Sequence, residues 1–105
     1  MGEFRVAESK AHKATANRIA AKYKTQYNQG PGADIKTNNI AVEVETEDTI
    51  GDAARQLSGH KKPSYVAVTS QKSVQKALDH YADTTIGVMD PNGKVVKRST
   101  RKKKK

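Results

Sequence analysis

The sequence lacks cysteine and tryptophan and contains one phenylalanine and four tyrosines in 105 residues. Without cysteine the chain forms neither disulfides nor thiolate metal sites, which is compatible with a reducing cytoplasm. It also has no apolar run long enough to cross a bilayer and nothing that resembles a signal peptide. We therefore expect a soluble, cytoplasmic protein, with a length that allows one small domain.

Positive charge is abundant and unevenly distributed. Twenty lysines and arginines against 11 acids leave a net charge of +9, and residues 97–105 hold seven of the basic residues and no acid. Residues 1–96 therefore carry only +2. We predict one α/β domain over residues 1–96 and a disordered basic tail over residues 97–105, which serves either a phosphate-rich partner or solubility alone.

The pattern of apolar residues predicts helices and strands in alternation. We predict a first helix, a hairpin that turns at Asn38-Asn39, a second helix with a capping box from Thr49 to Asp52, a strand, a third helix and a final hairpin. These elements are assigned to residues 6–24, 33–46, 48–59, 64–70, 73–83 and 84–98. Strands separated by helices imply parallel crossovers, so we expect an α/β fold with a central mixed sheet flanked by helices.

The first hairpin brings acidic residues together. If Thr37 pairs with Ile40 across the turn, Asp34 lies directly opposite Glu43, and opposed residues share a face of the sheet. Strand alternation adds Glu45 to that face and places the apolar residues of 40-IAVEVE-45 on the other face. We therefore predict one core face and one acidic face, with Lys36 at the edge of the acidic patch.

Such a patch needs compensation. Two carboxylates about 5 Å apart repel by roughly 3 kcal/mol at an effective dielectric constant of 20. A hard divalent cation such as Mg²⁺ or Mn²⁺ would relieve this repulsion, with one or two of the carboxylates and the Val44 carbonyl as oxygen ligands. The alternative is an ordinary solvated face of charged residues in which Lys36 pairs with the acids.

The order of these features resembles the PD-(D/E)xK superfamily of restriction-endonuclease-like nucleases, especially small archaeal-type members such as Holliday-junction resolvases and Mrr-like domains. The matching residues are Glu8 on the first helix, 31-PGAD-34, 40-IAVEVE-45 and Gln56. They span the first half of the chain. The resemblance implies a restriction-endonuclease-like core and Mg²⁺-dependent hydrolysis of DNA phosphodiester bonds, by subunits that commonly pair as homodimers.

The resemblance also implies residue roles. Asp34 and Glu43 would hold the metal, Glu8 would complete its shell, and position 45 would position or deprotonate the attacking water. Position 45 is glutamate where the family usually has lysine, so Lys36 is an alternative source of the ammonium group. Gln56 would orient an acid or touch a phosphate, or else is simply an exposed helix residue.

Basic residues outside the acidic patch would hold DNA, either duplex or branched, through its phosphates. The candidates are Lys10, Lys13, Arg18, Lys22, Lys61, Lys62, Arg101, Lys102, Lys103, Lys104 and Lys105. The three histidines show no metal-ligand spacing and are interpreted as scattered surface residues. A non-catalytic nucleic-acid-binding protein is the alternative function, and a protein-interaction module with a basic tail is a third.

Overall fold

The computed structural model describes residues 10–27, 33–57 and 62–100, except for the side chain of residue 56. Within these ranges no helix is both long enough and apolar enough to span a membrane. Short 3-10 helices, Glu47–Asp52 and Gln71–Ser73, lead into the second and third α-helices. The elements are α1 Lys10–Lys22, β1 Ile35–Lys36, β2 Ala41–Glu45, α2 Ala53–Leu57, β3 Ser64–Val68, α3 Val74–His80, β4 Gly87–Met89 and β5 Val95–Lys97.

The five strands form one mixed sheet in the order β1-β2-β3-β4-β5. The three central strands run parallel and the two outer strands pair antiparallel with their neighbours. Helical segments therefore connect the parallel strands, as crossover geometry requires. This arrangement confirms the α/β fold with a central mixed sheet.

Helices cover both faces of the sheet. On one face, Ile19 of α1 packs in a cluster with Ile35 and Val42. On the other face, α2 and α3 enclose a second cluster that includes Ala41 and Val66. Every residue of β2 is consequently buried. The predicted acidic face exists, but the alternative interpretation of it as a solvated face of charged residues is wrong. A strand that has neighbours on both edges and helices on both faces of its sheet has no solvated face.

The first hairpin has the predicted register, with Ile35 opposite Val42 and Lys36 opposite Ala41. Thr37 closes the turn, because its N–H donates to the Ile40 carbonyl at 2.9 Å and its Oγ1 accepts from the N–H of Ile40 at 3.0 Å. Neither asparagine of the turn has a positive φ. The threonine side chain, rather than a left-handed asparagine, stabilises this turn.

The second helical segment starts earlier than predicted. Thr46 precedes the 3-10 helix, and its N–H donates to Thr49 Oγ1 at 3.1 Å, so the capping pair is Thr46 with Thr49. The predicted box from Thr49 to Asp52 was wrong. Thr46 with Thr49 and Thr49 with Asp52 both have the three-residue spacing of a capping box. The helical segment begins directly after β2 ends at Glu45, so Thr46 is the N-cap residue.

The folded body extends beyond the boundary predicted at residue 96. Lys97 lies in β5, and its Nζ donates to the Ile86 carbonyl at 2.6 Å. Ser99 is buried and donates through Oγ to the Thr85 carbonyl at 2.8 Å. The predicted tail therefore contributes residues 97–100 to the fold, and residues 101–105 lie outside the described part of the chain.

Gly87 should be indispensable for the approach of the last segment to the sheet. A Cβ atom there would lie 2.5 Å from the Lys97 carbonyl oxygen and 2.6 Å from the Ser99 nitrogen, both of them backbone atoms. We expect Gly87→Ala to lower the free energy of unfolding by about 2 kcal/mol, measured by urea denaturation.

Gly51→Ala is the matched control, because its Cβ would only make ordinary contact with the His80 ring at 3.4 Å. This control should leave stability unchanged or raise it by roughly 0.5 kcal/mol. Equal effects of the two substitutions would contradict the close approach at Gly87.

Candidate active site

Asp34 joins the two strands of the first hairpin at the point where their pairing ends. Its Oδ2 accepts a hydrogen bond from the Val44 N–H at 2.9 Å, two residues beyond the last paired position on β2. Its own N–H donates to Glu43 Oε1 at 3.3 Å. Asp34 and Glu43 are therefore neighbours, as the predicted register required.

Glu43 and Glu45 lie side by side on the face of β2 that turns toward α2. They are 8% and 7% exposed, and the two carboxyl groups share a hydrogen bond. Thr49, at the start of the helical segment, also hydrogen-bonds to Glu45. The three predicted acids thus form one buried group at the end of the hairpin.

Burial and mutual repulsion change the acidity of this group. Burial, together with the nearby charges of Asp34 and Glu45, raises the pKa of Glu43 to about 9. Burial also raises the pKa of Glu45 to about 7, although its hydrogen bond with Thr49 opposes this shift. At neutral pH the pair therefore holds a proton, because two adjacent buried carboxylates do not both ionise without a cation.

His12 on α1 belongs to the same site, contrary to our interpretation of it as a scattered surface residue. Its Nε2 lies 3.2 Å from Asp34 Oδ2, and its Nδ1 lies 3.3 Å from the Tyr27 hydroxyl. With a proton on Nε2, the imidazole donates to the Asp34 carboxylate. Only 12% of the His12 side chain is exposed, so α1 brings it directly against the hairpin.

The predicted role of Lys36 as a cation beside the acids is not supported. Among the described residues Lys36 forms no ion pair with the acids, and its charge is not among the groups that shift the pKa values of Glu43 and Glu45. Its side chain lines a depression near the hairpin turn instead. Lys36 pairs with Ala41 near the turn. Glu43 and Glu45 lie further along β2, away from the turn and from Lys36.

Two further predicted residues stay untested. Glu8 lies outside the described residues, and Gln56 belongs to α2 but its side chain also lies outside them.

The carboxylate oxygens of these acids are the ligand type that a hard divalent cation prefers, but their side chains are not arranged around a metal position. In the described ranges, no three histidine, aspartate or glutamate side chains are arranged to hold a metal ion. Asp34 and Glu43 nevertheless supply buried, mutually repelling carboxylates of the type that Mg²⁺ and Mn²⁺ prefer. Because the N–H and carbonyl of one residue in an extended strand project toward the same edge, we expect the Val44 carbonyl to lie on the same side as the N–H that binds Asp34.

The basic residues predicted to bind DNA divide into two groups. Lys10 and Lys13 are exposed on α1. Arg18, Lys22 and Lys62 instead donate to backbone carbonyls of Pro91, Gly93 and Thr37, at 3.0, 3.0 and 2.6 Å. Arg18 and Lys22 thereby fasten α1 to the turn between β4 and β5. Lys61 and residues 101–105 lie outside the described part of the chain.

Comparisons of the chain with protein-family models, curated proteins and solved structures found no match. The functional argument therefore depends on the site itself.

The stability of the metal-free protein should fall as the pH rises. The native-state pKa values of Glu43 and Glu45 lie above the ordinary value of 4.5, so the folded chain binds these protons more tightly than the unfolded chain. Their contribution is complete below about pH 4.5 and is lost as the pH rises through 7 toward 9. We expect the free energy of unfolding to fall by at least roughly 2 kcal/mol between pH 5 and pH 9, since one pKa unit corresponds to about 1.4 kcal/mol.

Urea denaturation across this pH range measures the effect, with Glu43→Gln as the comparison. The amide cannot ionise, so most of the pH dependence should disappear in this variant. An equally steep loss of stability in Glu43→Gln would show that other groups cause it.

Proposed function

We propose that this protein is a metal-dependent nuclease that hydrolyses DNA phosphodiester bonds. The observation that carries the proposal is the buried group of Asp34, Glu43 and Glu45 at the end of the hairpin. Such a group is unfavourable to folding unless a proton or cation accompanies it. Functional sites are where proteins commonly keep such unfavourable arrangements.

Asp34 and Glu43 would hold the cation, assisted by the Val44 carbonyl. A bound Mg²⁺ or Mn²⁺ would supply Lewis-acid polarisation of a phosphoryl oxygen and a more acidic bound water. Glu45 lies next to Glu43 and near Thr49, and its carboxylate would accept the proton of the attacking water. His12 holds Asp34 in position through the Nε2 contact and is a positioning residue.

The overall charge of the chain supports a polyanionic substrate. A net charge of +9 attracts nucleic acid electrostatically, and contacts to phosphates give affinity with little dependence on base sequence. We expect the protein to act in the cytoplasm, in agreement with a sequence that has no cysteine. Cleavage of both strands of a duplex would require a second copy of the site, which a homodimer provides.

Cleavage assays with linear, nicked and branched DNA in Mg²⁺ or Mn²⁺ test this proposal. Asp34→Asn and Glu43→Gln keep the size of each side chain but remove the charge that holds a cation. Each should lower the cleavage rate by roughly 100-fold or more, which corresponds to about 2.7 kcal/mol of transition-state stabilisation.

Asp48→Asn is the control, because Asp48 is an exposed acid on the adjacent 3-10 helix. This variant should cleave like the wild type. Cleavage that survives both Asp34→Asn and Glu43→Gln would overturn the assignment of the site.

A non-catalytic nucleic-acid-binding protein is the second candidate function. It is favoured by one observation, the direct hydrogen bond between Glu43 and Glu45 in a group without three converging metal ligands among the described residues. Salt-sensitive DNA binding without cleavage in any divalent metal would support this candidate over the nuclease.

A further inference from the structure

A basic depression lies at the turn end of the first hairpin. It has a volume of about 480 Å³. Among the described residues, its lining contains three lysines and no acidic side chain. The lining residues are Tyr23, Lys24, Thr25, Lys36, Thr37, Asn38 and Lys62.

Lys24 enters this depression at a conformational cost. The N–H groups of Lys24 and Thr25 donate back to the carbonyls of Ala21 and Ala20, at 3.1 and 2.9 Å, and close α1. Lys24 occupies the left-handed position of this motif with a φ of +59°. Glycine is the usual residue there, and a side chain costs about 1 kcal/mol.

The ordinary explanation for a lysine at a helix C-terminus is its attraction to the helix dipole. That attraction contributes about 0.3 to 1 kcal/mol at an exposed site and at best offsets the left-handed backbone. The fold therefore gains nothing from Lys24 that glycine would not supply. A long cationic side chain at this point is explained better by what it contributes to the depression.

The other two lysines are held by separate parts of the chain. Lys62 donates from Nζ to the Thr37 carbonyl at 2.6 Å, which fixes its ammonium group and leaves further donors available. Lys36 is exposed on the edge strand β1, and its carbonyl accepts a hydrogen bond of 3.5 Å from Thr25 Oγ1. The helix end, the edge strand and the segment before β3 therefore assemble three cations around one cavity.

We propose that this depression binds a backbone phosphate of nucleic acid and anchors the strand beside the acidic site. Lysine ammonium groups act as point charges for phosphate, and the amide of Asn38 is an additional donor. Lys36 follows Asp34 by two residues along the chain, so the first hairpin connects the depression to the acids.

The position of the anchor beside Asp34 rests on the proposed function, whereas phosphate binding by the lysines does not. Binding and cleavage must therefore be measured separately. We suggest fluorescence anisotropy of a labelled DNA duplex with the full chain in EDTA at several salt concentrations, with cleavage in Mg²⁺ measured in a second assay.

Lys24→Gly is the decisive variant because it separates stability from binding. Glycine removes the cation and relieves the left-handed backbone, so the melting temperature should stay the same or rise. The affinity for DNA should fall by roughly 3- to 10-fold, and the slope of log K against log salt should decrease in magnitude by about 1, as expected for one lost phosphate contact. Lys36→Gln should have a similar effect on binding.

Lys72→Gln is the control, because Lys72 is an exposed lysine on the 3-10 helix before α3 and does not line the depression. It should change affinity by less than about 2-fold. Binding by Lys24→Gly and Lys36→Gln that equals binding by this control would overturn the anchor, even if the protein cleaves DNA. Weakened binding in a protein that cleaves no DNA would support the anchor and reject the nuclease.

Discussion

Three carboxylates buried at the end of one hairpin are the constraint on which the rest of the site depends. Asp34 occupies the point where β1 stops pairing with β2, and its carboxylate accepts the Val44 N–H. Glu43 and Glu45 continue along β2, between helices that cover both faces of the sheet. Because β2 has no solvated face, water cannot separate these charges, and a shared proton or a cation must reduce their repulsion.

The hairpin gives the molecule two chemically opposite ends. Acids gather where the ladder ends, and lysines gather around the turn, with only Ile35 between Asp34 and Lys36. Helix α1 connects the two ends, since His12 near its start contacts Asp34 and Lys24 just after its end lines the depression. A polyanion that follows this hairpin would meet cations at one end and a metal-seeking acidic group at the other.

Contacts between residues that are close in the sequence could be predicted from local patterns. Strand alternation and a two-residue turn predicted that Asp34 faces Glu43, and helices between strands predicted the parallel centre of the sheet. The final hairpin over residues 84–98 was also predicted, and it includes the pairing of Lys97. Burial of the acidic face and the contact of His12 with Asp34 depend on elements distant in sequence. A single histidine in a helix carries no local signal of its tertiary partner, so no spacing rule reveals it.

Carboxyl-carbon NMR of the glutamates, recorded as the pH is raised with and without Mg²⁺, tests the central claim most directly. In the metal-free protein Glu43 should titrate well above 7 and in coupled steps with Glu45. Addition of Mg²⁺ should displace the shared proton and move the titration of Glu43 to lower pH. Both glutamates titrating near their ordinary value of 4.5, with no response to Mg²⁺, would contradict the account.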